Sequence, residues 1–336
     1  MGIGIAAISY YLPEKTLTND DLAALYGDWT AEKIFNKTGI CRRHIADDEE
    51  CTSNLAEKAA LNLFNEYGVK PETIDFILLA TQSPDYFLPT TACILQDRLR
   101  IPRNSGALDF NLGCSAYVYG LALAKSLIDG DMANNVLLIT SEIYSKHIHP
   151  MDKSTRTIFG DGASATLIKG DQNESKIGKF IFGTDGSGAS HLIIPAGGMK
   201  IRSSMETKIE EMDENGAIRS KDNIYMNGPE IFNFTISVVP KAVNDVLAKN
   251  ELDIEDIDLF VFHQANKYML DYLRKKIKIP EDKYYINLKD IGNTVSSSIP
   301  IALKMALCEG KLKKGDNVML VGFGVGLSWA ATVIKW

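Results

Sequence analysis

The sequence predicts an α/β fold assembled from two duplicated halves, and three observations carry that prediction. Apolar β-branched runs alternate with stretches of helical periodicity along most of the chain, the pattern of strands laid side by side with helices on their faces. The pattern then repeats itself: Ile74-Asp75-Phe76-Ile77-Leu78-Leu79 returns as Ile257-Asp258-Leu259-Phe260-Val261-Phe262, an offset of 183 (257 − 74). Downstream, Asn111-Leu112-Gly113-Cys114-Ser115 lines up with Asn293-Thr294-Val295-Ser296-Ser297, and Asn135-Val136-Leu137-Leu138 with Asn317-Val318-Met319-Leu320, both at 182 (293 − 111). A period held this closely marks two copies of one supersecondary unit that pack together.

Each element follows from this reading. In the first half, residues 1–170, Ile3, Ile5 and Ile8 alternate ahead of Pro13 and predict a strand at 3–9; further strands are expected at 75–80, 107–111, 135–140 and 163–168. Helical periodicity predicts helices at 52–66, 89–99 and 114–129. In the second half, residues 171–336, the same logic gives strands at 179–183, 258–262, 284–288, 317–321 and 328–334, and helices at 229–249, 266–277 and 298–308. The alternation predicts largely parallel sheets. Residues 184–227 break the pattern with TDGSGAS and a charged stretch, and are expected to form a long surface excursion over a pocket mouth.

Composition narrows the class of function. The chain has 336 residues, 45% hydrophobic and 24% charged, an ordinary globular enzyme composition. Its apolar runs are of strand length, far below the roughly 20 residues of a membrane helix, so no membrane association is expected. The N-terminus carries no basic residue ahead of its apolar stretch and does not read as a signal peptide, and Ala6 breaks the myristoylation pattern; a cytoplasmic protein is expected. Cysteines at 41, 51, 93, 114 and 308 form no CxxC pair and are odd in number, which predicts free thiols and no metal site. A net charge of −7 without an arginine-rich stripe argues against a nucleic-acid partner.

Duplication lets the copies diverge, and their differences locate the chemistry. Cys114 in the first half faces Ser296 in the second, and His263 in the second faces Ala80 in the first. Cys114 follows the strand Ala107–Asn111 and is read as opening a helix, where unpaired N–H groups and the positive dipole end favour thiolate over thiol. A cysteine is more often a small buried hydrophobe, the reading given to Cys41, Cys51, Cys93 and Cys308; the elbow with Gly113 sets Cys114 apart. His263 ends an apolar strand in His263-Gln264-Ala265-Asn266, the edge at which chemistry gathers in parallel sheets, although a lone histidine there is as often structural. Asn293 in Gly292-Asn293-Thr294 is equally consistent with a turn residue. Gly322-Phe323-Gly324-Val325-Gly326 lies too near the C-terminus to be a dinucleotide fingerprint and instead suits backbone N–H groups approaching a reacting carbonyl. Phe159-Gly160-Asp161-Gly162-Ala163 lacks P-loop chemistry and reads as a tight turn into a strand.

Taken together, Cys114 after a strand, HQAN at 263–266, GNT at 292–294, FGDGA at 159–163 and the terminal GFGVG resemble the thiolase superfamily, and more narrowly the β-ketoacyl-acyl-carrier-protein synthase III family. The likeness runs from YLPE at 11–14 and TGI at 38–40 to the last strand. It implies a five-layered αβαβα fold, a homodimer, and a catalytic triad of Cys114, His263 and Asn293. It further implies an acyltransferase that loads an acyl group from acyl-CoA onto Cys114 and condenses it, with decarboxylation, with malonyl-acyl-carrier protein. The oxyanion would be held by the backbone N–H groups of Cys114 and Val325, and coenzyme A enters as a substrate thioester with no cofactor.

The chain departs from the family pattern at four places. Tyr268 stands where an arginine usually follows the catalytic histidine, Val325 replaces a glycine, Trp29 is displaced relative to Thr38-Gly39-Ile40, and the nucleophile motif reads Asn111-Leu112-Gly113-Cys114-Ser115-Ala116. These differences suit either fatty acid initiation or a specialised acyl pathway. Carrier-protein contacts are expected from Gln264, Lys267, Tyr268, Arg274, Lys275 and Lys278, with 267, 274 and 278 on one helical stripe. A type III polyketide synthase or another condensing enzyme is the alternative, and a non-catalytic scaffold a further one.

Overall fold

The computed structural model describes residues 2–170 and 176–336, and the expected boundary between the halves, at 170 and 171, falls at the edge of residues 171–175, which lie outside the described residues. Strands β1 (Gly4–Tyr11), β2 (Phe76–Ala80), β3 (Gly106–Phe110), β4 (Asn135–Glu142) and β5 (Gly162–Lys169) form one sheet in the order β1-β5-β4-β2-β3. Strands β6 (Lys176–Thr184), β7 (Leu259–Phe262), β8 (Asn317–Gly324) and β9 (Ser328–Lys335) form a second, in the order β6-β9-β8-β7. The two orders superimpose strand for strand, β1 on β6, β5 on β9, β4 on β8 and β2 on β7. The repeat read in the sequence is therefore a repeat of topology.

Two expectations are corrected. The sheets are mixed: β2 runs parallel to β3 and β4, and β7 to β8, but β1–β5, β4–β5, β8–β9 and β9–β6 are antiparallel. The cause is plain at β8 and β9, which are joined by Val325-Gly326-Leu327, a connection too short for a parallel crossover. Residues 284–288, the counterpart of β3, form only an isolated parallel bridge from Tyr284 to Phe260. Short 3-10 turns at Glu281–Lys283 and Leu288–Asp290 crowd both sides, and the Asn287 N–H is taken by the Gln264 side chain at 3.0 Å instead of by a strand.

Five layers result. Helices Thr52–Tyr67 and Thr91–Arg98 cover the outer face of the first sheet, and Gly228–Asn250 and Lys267–Ile277 the outer side of the second half. Helices Ala116–Asp129 and Ser298–Cys308 lie between the sheets. They are repeat partners to the residue, since both start at the same offset (298 − 116 = 182), after Ser115 and Ser297. Their small or apolar faces pack into one central core with Leu78, Val136 and Leu138 from the first sheet and Val261, Val318 and Leu320 from the second. This places the C-terminal ends of β3 and β7, and the elbows that follow them, at the seam between halves.

The excursion at 184–227 holds two short antiparallel pairs, Leu192–Ile193 with Tyr225–Met226 and Glu211–Met212 with Ile218–Arg219. It walls a cavity described below. Among the described residues no helix is long and apolar enough to cross a membrane.

Candidate active site

The helix after the first elbow begins at Ala116, so Cys114 stands in the turn ahead of it and not in its first turn. The turn is tight because the return strand β8 runs directly beneath it. A Cβ added at Gly324 would lie 2.8 Å from Cys114 Cβ and 2.9 Å from Sγ, and one added at Gly322 would lie 2.7 Å from Ser115 Cα. These glycines thus admit the nucleophile to the seam. Cys114 itself is 5% exposed. Burial pushes its thiol up to about 12, the nearby Glu142 adds to the rise, and the backbone N–H groups of Cys114 and Val325 oppose it. The expectation that the helix terminus leaves a thiolate is corrected: a helix end contributes about 0.3–1 kcal/mol, too little to offset complete desolvation of a charge.

His263 leaves β7 with its N–H bonded to the Val321 carbonyl (2.9 Å) and its ring edge-on to Phe323, centroids 5.5 Å apart. Its Nδ1 is 2.7 Å from Ser298 Oγ, the first residue of the central helix. Burial lowers its pKa to about 3, with the Val295 backbone opposing, so the imidazole is neutral at physiological pH. Asn293 is held by its own backbone: its N–H donates to the Ile158 carbonyl and its carbonyl accepts from Gly160 N–H, both at 3.0 Å. The FGDGA turn is therefore also the bracket that positions Asn293. Its Oδ1 accepts from Val295 N–H (2.9 Å), which turns Nδ2 to within 3.4 Å of both His263 Nε2 and the Ala265 carbonyl.

Cys114 and His263 flank adjacent residues of one strand, Gly324 and Phe323. Cys114, Phe159, Phe262, Val295 and Phe323 belong to one apolar cluster, and the His263 ring packs on Phe323 of the same cluster.

The residues expected to face a carrier protein divide. Lys267, Tyr268, Lys275 and Lys278 are exposed, and Lys267 pairs with Asp271 at 2.5 Å. Gln264 is corrected: it is 2% exposed, and its amide donates to the Phe262 and Tyr285 carbonyls and accepts from Asn287, so it braces the loop and cannot meet a partner. The stripe is broken as well. Arg274 is half-buried against the Ile279 carbonyl, and Lys278 caps the helix in the left-handed region at φ 64.

The pocket expected under the 184–227 excursion is a cavity beside the site, but its basic and aromatic lining was missed. About 800 Å³ in volume, it is lined by Trp29, Lys37, Lys153, Arg219 and Tyr225, and its inner wall is Thr157 and Ile158, whose carbonyl holds Asn293. Lys33 and Lys37 lie over the Trp29 ring, 4.9 and 4.7 Å from its centroid. The alternating Trp and Lys at 29, 33 and 37 was the available signal, a helical spacing that places the amines on one face. Glu142, wholly buried beside Cys114, was also missed.

A cysteine, a histidine and an asparagine meeting at the seam of two duplicated α/β halves define a condensing enzyme of the thiolase type. Residues 108–186 match the family model for 3-oxoacyl-[acyl-carrier-protein (ACP)] synthase III, and residues 247–336 the model for its C terminal. The chain is 41% identical over 334 residues to the β-ketoacyl-[acyl-carrier-protein] synthase III of Caldanaerobacter subterraneus subsp. tengcongensis, covering 99% of this chain and 97% of that one. A solved 3-oxoacyl-(acyl-carrier-protein) synthase III shares 50% identity and a TM-score of 0.98, each chain covered to 100%. The structure of the Thermus thermophilus enzyme of that name shares 36% identity and a TM-score of 0.88, with 99% of each chain covered. The chain belongs to the 3-oxoacyl-[acyl-carrier-protein] synthase III family. It is an acyltransferase of that type, and neither the type III polyketide synthase reading nor the scaffold reading is favoured.

Proposed function

We propose that the protein condenses an acyl group from acyl-CoA with malonyl-acyl-carrier protein to give 3-oxoacyl-acyl-carrier protein, in fatty acid initiation. The observation that carries this reading is the 3.4 Å approach of His263 Nε2 and Asn293 Nδ2, with His263 packed on Phe323 and the buried Cys114 on the next residue of that strand, Gly324. In the first half-reaction the Cys114 sulfur attacks the thioester carbonyl and forms a C–S bond. The bond to coenzyme A breaks, and the thiol proton ends on the departing sulfur. The N–H groups of Cys114 and Val325 stabilise the intervening oxyanion. In the second, malonyl-carrier loses CO2, and its enolate oxygen is held by His263 and Asn293. The Ser298 hydroxyl can donate to Nδ1, which leaves the neutral ring's proton on Nε2; Nε2–H and Nδ2–H are then two donors aimed at one acceptor. The carbanion attacks acyl-Cys114, a C–C bond forms as the acyl–sulfur bond breaks, and the released sulfur takes up one proton from solvent, which restores the thiol. Decarboxylation supplies the carbanion, so the reaction calls for no cofactor.

The cavity behind Ile158 suits the coenzyme: Lys33 and Lys37, stacked on Trp29, can meet its phosphates, and Lys153 and Arg219, held by Asp28 and by Asp152 and Asp213, add positive charge to its wall. Exposed Lys267, Lys275 and Lys278 suit an acidic carrier surface. A homodimer is supported by β3, paired on one edge only, and by Tyr86, Phe87 and Leu88, which stand 62%, 80% and 83% exposed. A cytoplasmic location accords with this chemistry. The test is intact-protein mass spectrometry with a panel of acyl-CoAs, followed by malonyl-carrier. A single adduct that the second substrate discharges as 3-oxoacyl-carrier supports the reading, and an absence of any adduct across the panel refutes it.

A further inference from the structure

The repeat relates Cys114 to Ser296 and Glu142, the last residue of β4, to Gly324, the last residue of β8, all at the offset of 182 (296 − 114; 324 − 142). The two ends therefore make equivalent contacts with opposite content. Gly324 lies bare beneath Cys114. Glu142 fills the matching place beneath Ser296, whose Oγ donates to Oε1 at 2.8 Å. The other carboxyl oxygen, Oε2, accepts from the Gln82 backbone N–H at 2.9 Å.

Gln82 is the link back to the nucleophile. Its Nε2 donates to Asn111 Oδ1 (3.0 Å), its Oε1 accepts from Tyr144 Oη (2.5 Å), and that same oxygen stands 2.5 Å from where a Cβ on Gly113 would be. It thus presses on the residue directly before Cys114. A carboxyl group at 0% exposure that joins the nucleophile's turn to the vacant copy of that turn is more than filler, since an apolar side chain would make neither bond.

We propose that Glu142 is a positioning residue for Cys114: by tying the Gln82 turn of one half to Ser296 of the other, it sets the height at which the Cys114 elbow meets Gly324. Burial pushes its carboxyl up to about 8, so it is largely neutral at pH 7 and donates no net charge to the pocket. The titratable groups that face it are Cys114, Asp161 and Tyr144. Once ionised, it opposes thiolate at Cys114 and holds the thiol pKa higher.

The proposal rests on Cys114 being the acylated residue. Its test therefore uses alkylation of Cys114 by iodoacetamide, followed peptide by peptide across pH, beside the single-turnover rate of acylation by acyl-CoA. Alkylation reads the thiol whether or not condensation follows. Glu142→Gln can keep both contacts without a charge, its amide oxygen accepting from the Gln82 N–H and its NH2 donating to Ser296 Oγ. It should acylate close to the wild-type rate and move the rise of alkylation to lower pH. Glu142→Ala loses both bonds and should acylate about 100-fold more slowly, the effect of a misplaced reacting group. Ser296→Ala, which removes a single hydroxyl, carries the test if Glu142→Ala does not fold; it should slow acylation with the alkylation profile unmoved. An alkylation profile unchanged in Glu142→Gln, or wild-type acylation in Glu142→Ala or, failing that, Ser296→Ala, overturns the proposal.

Discussion

Asn293 Nδ2 and His263 Nε2 stand 3.4 Å apart, each held from behind by the other half or the central helix: Asn293 by the Ile158 carbonyl and Gly160, His263 by Ser298. Neither atom owes its place to the other. Two nitrogens fixed independently at one place form a site that need not reorganise if charge develops beside them.

From this geometry, His263→Ala or Asn293→Ala should slow condensation by about 10²–10³-fold, the cost of one lost oxyanion donor, while self-acylation stays measurable. Single-turnover kinetics for the two half-reactions check it. Equal loss in both steps for Asn293→Ala would assign that residue to positioning Cys114.

Cys114→Ala should abolish the acyl adduct, whereas Cys308→Ala should leave it intact. Cys308 is exposed at the end of its helix and far in sequence from any elbow. Mass spectrometry of each variant after acyl-CoA treatment decides, and an adduct that persists in Cys114→Ala would remove the nucleophile assignment.

Gly324→Ala places a methyl 2.8 Å from Cys114 Cβ, closer than side chains pack. The elbow must shift, at a cost of about 1–3 kcal/mol, and acylation should fall with it. Chemical denaturation and acylation rate are the paired measurements; unchanged values for both would refute close contact between the Cys114 elbow and β8.

His263 gives a pH signature. Its folded pKa, near 3, lies below its ordinary 6.5, so the unfolded chain binds a proton that the native chain refuses. Its contribution to stability is present above pH 6.5 and is lost progressively as pH falls toward 3. His263→Gln should therefore destabilise less, relative to wild type, at pH 4.5 than at pH 7. Denaturation midpoints of the two proteins across that range test the sign.

Lys267→Glu should raise the KM for malonyl-carrier at low salt, where charge steering is strongest, with acylation and melting temperature little changed, because its pair with Asp271 is exposed. An unchanged KM would move docking away from this helix.

Much of this was legible because duplication writes the important elbows twice. The strand ahead of Cys114, the strand ahead of His263 and both central helices follow from periodicity and the repeat, and the motifs at their ends mark the residues at the seam, His263 and Asn293 among them. Other features required the third dimension. Gln264 reads as a polar surface residue, yet the missing partner strand at 284–288 leaves carbonyls and an N–H that only its amide satisfies. The Cys114 thiol was misjudged because a sequence displays the helix terminus but not the depth of burial. Glu142 looks like any residue closing an apolar strand until Ser296 is brought against it.

The central layer has a consequence for how the molecule comes apart. Tyr117, Val118 and Leu121 of one central helix and Ile299, Leu303 and Ala306 of the other share a core with both sheets. Removing either half would strip one whole face from its partner. Damage at the seam therefore removes packing from both copies at once.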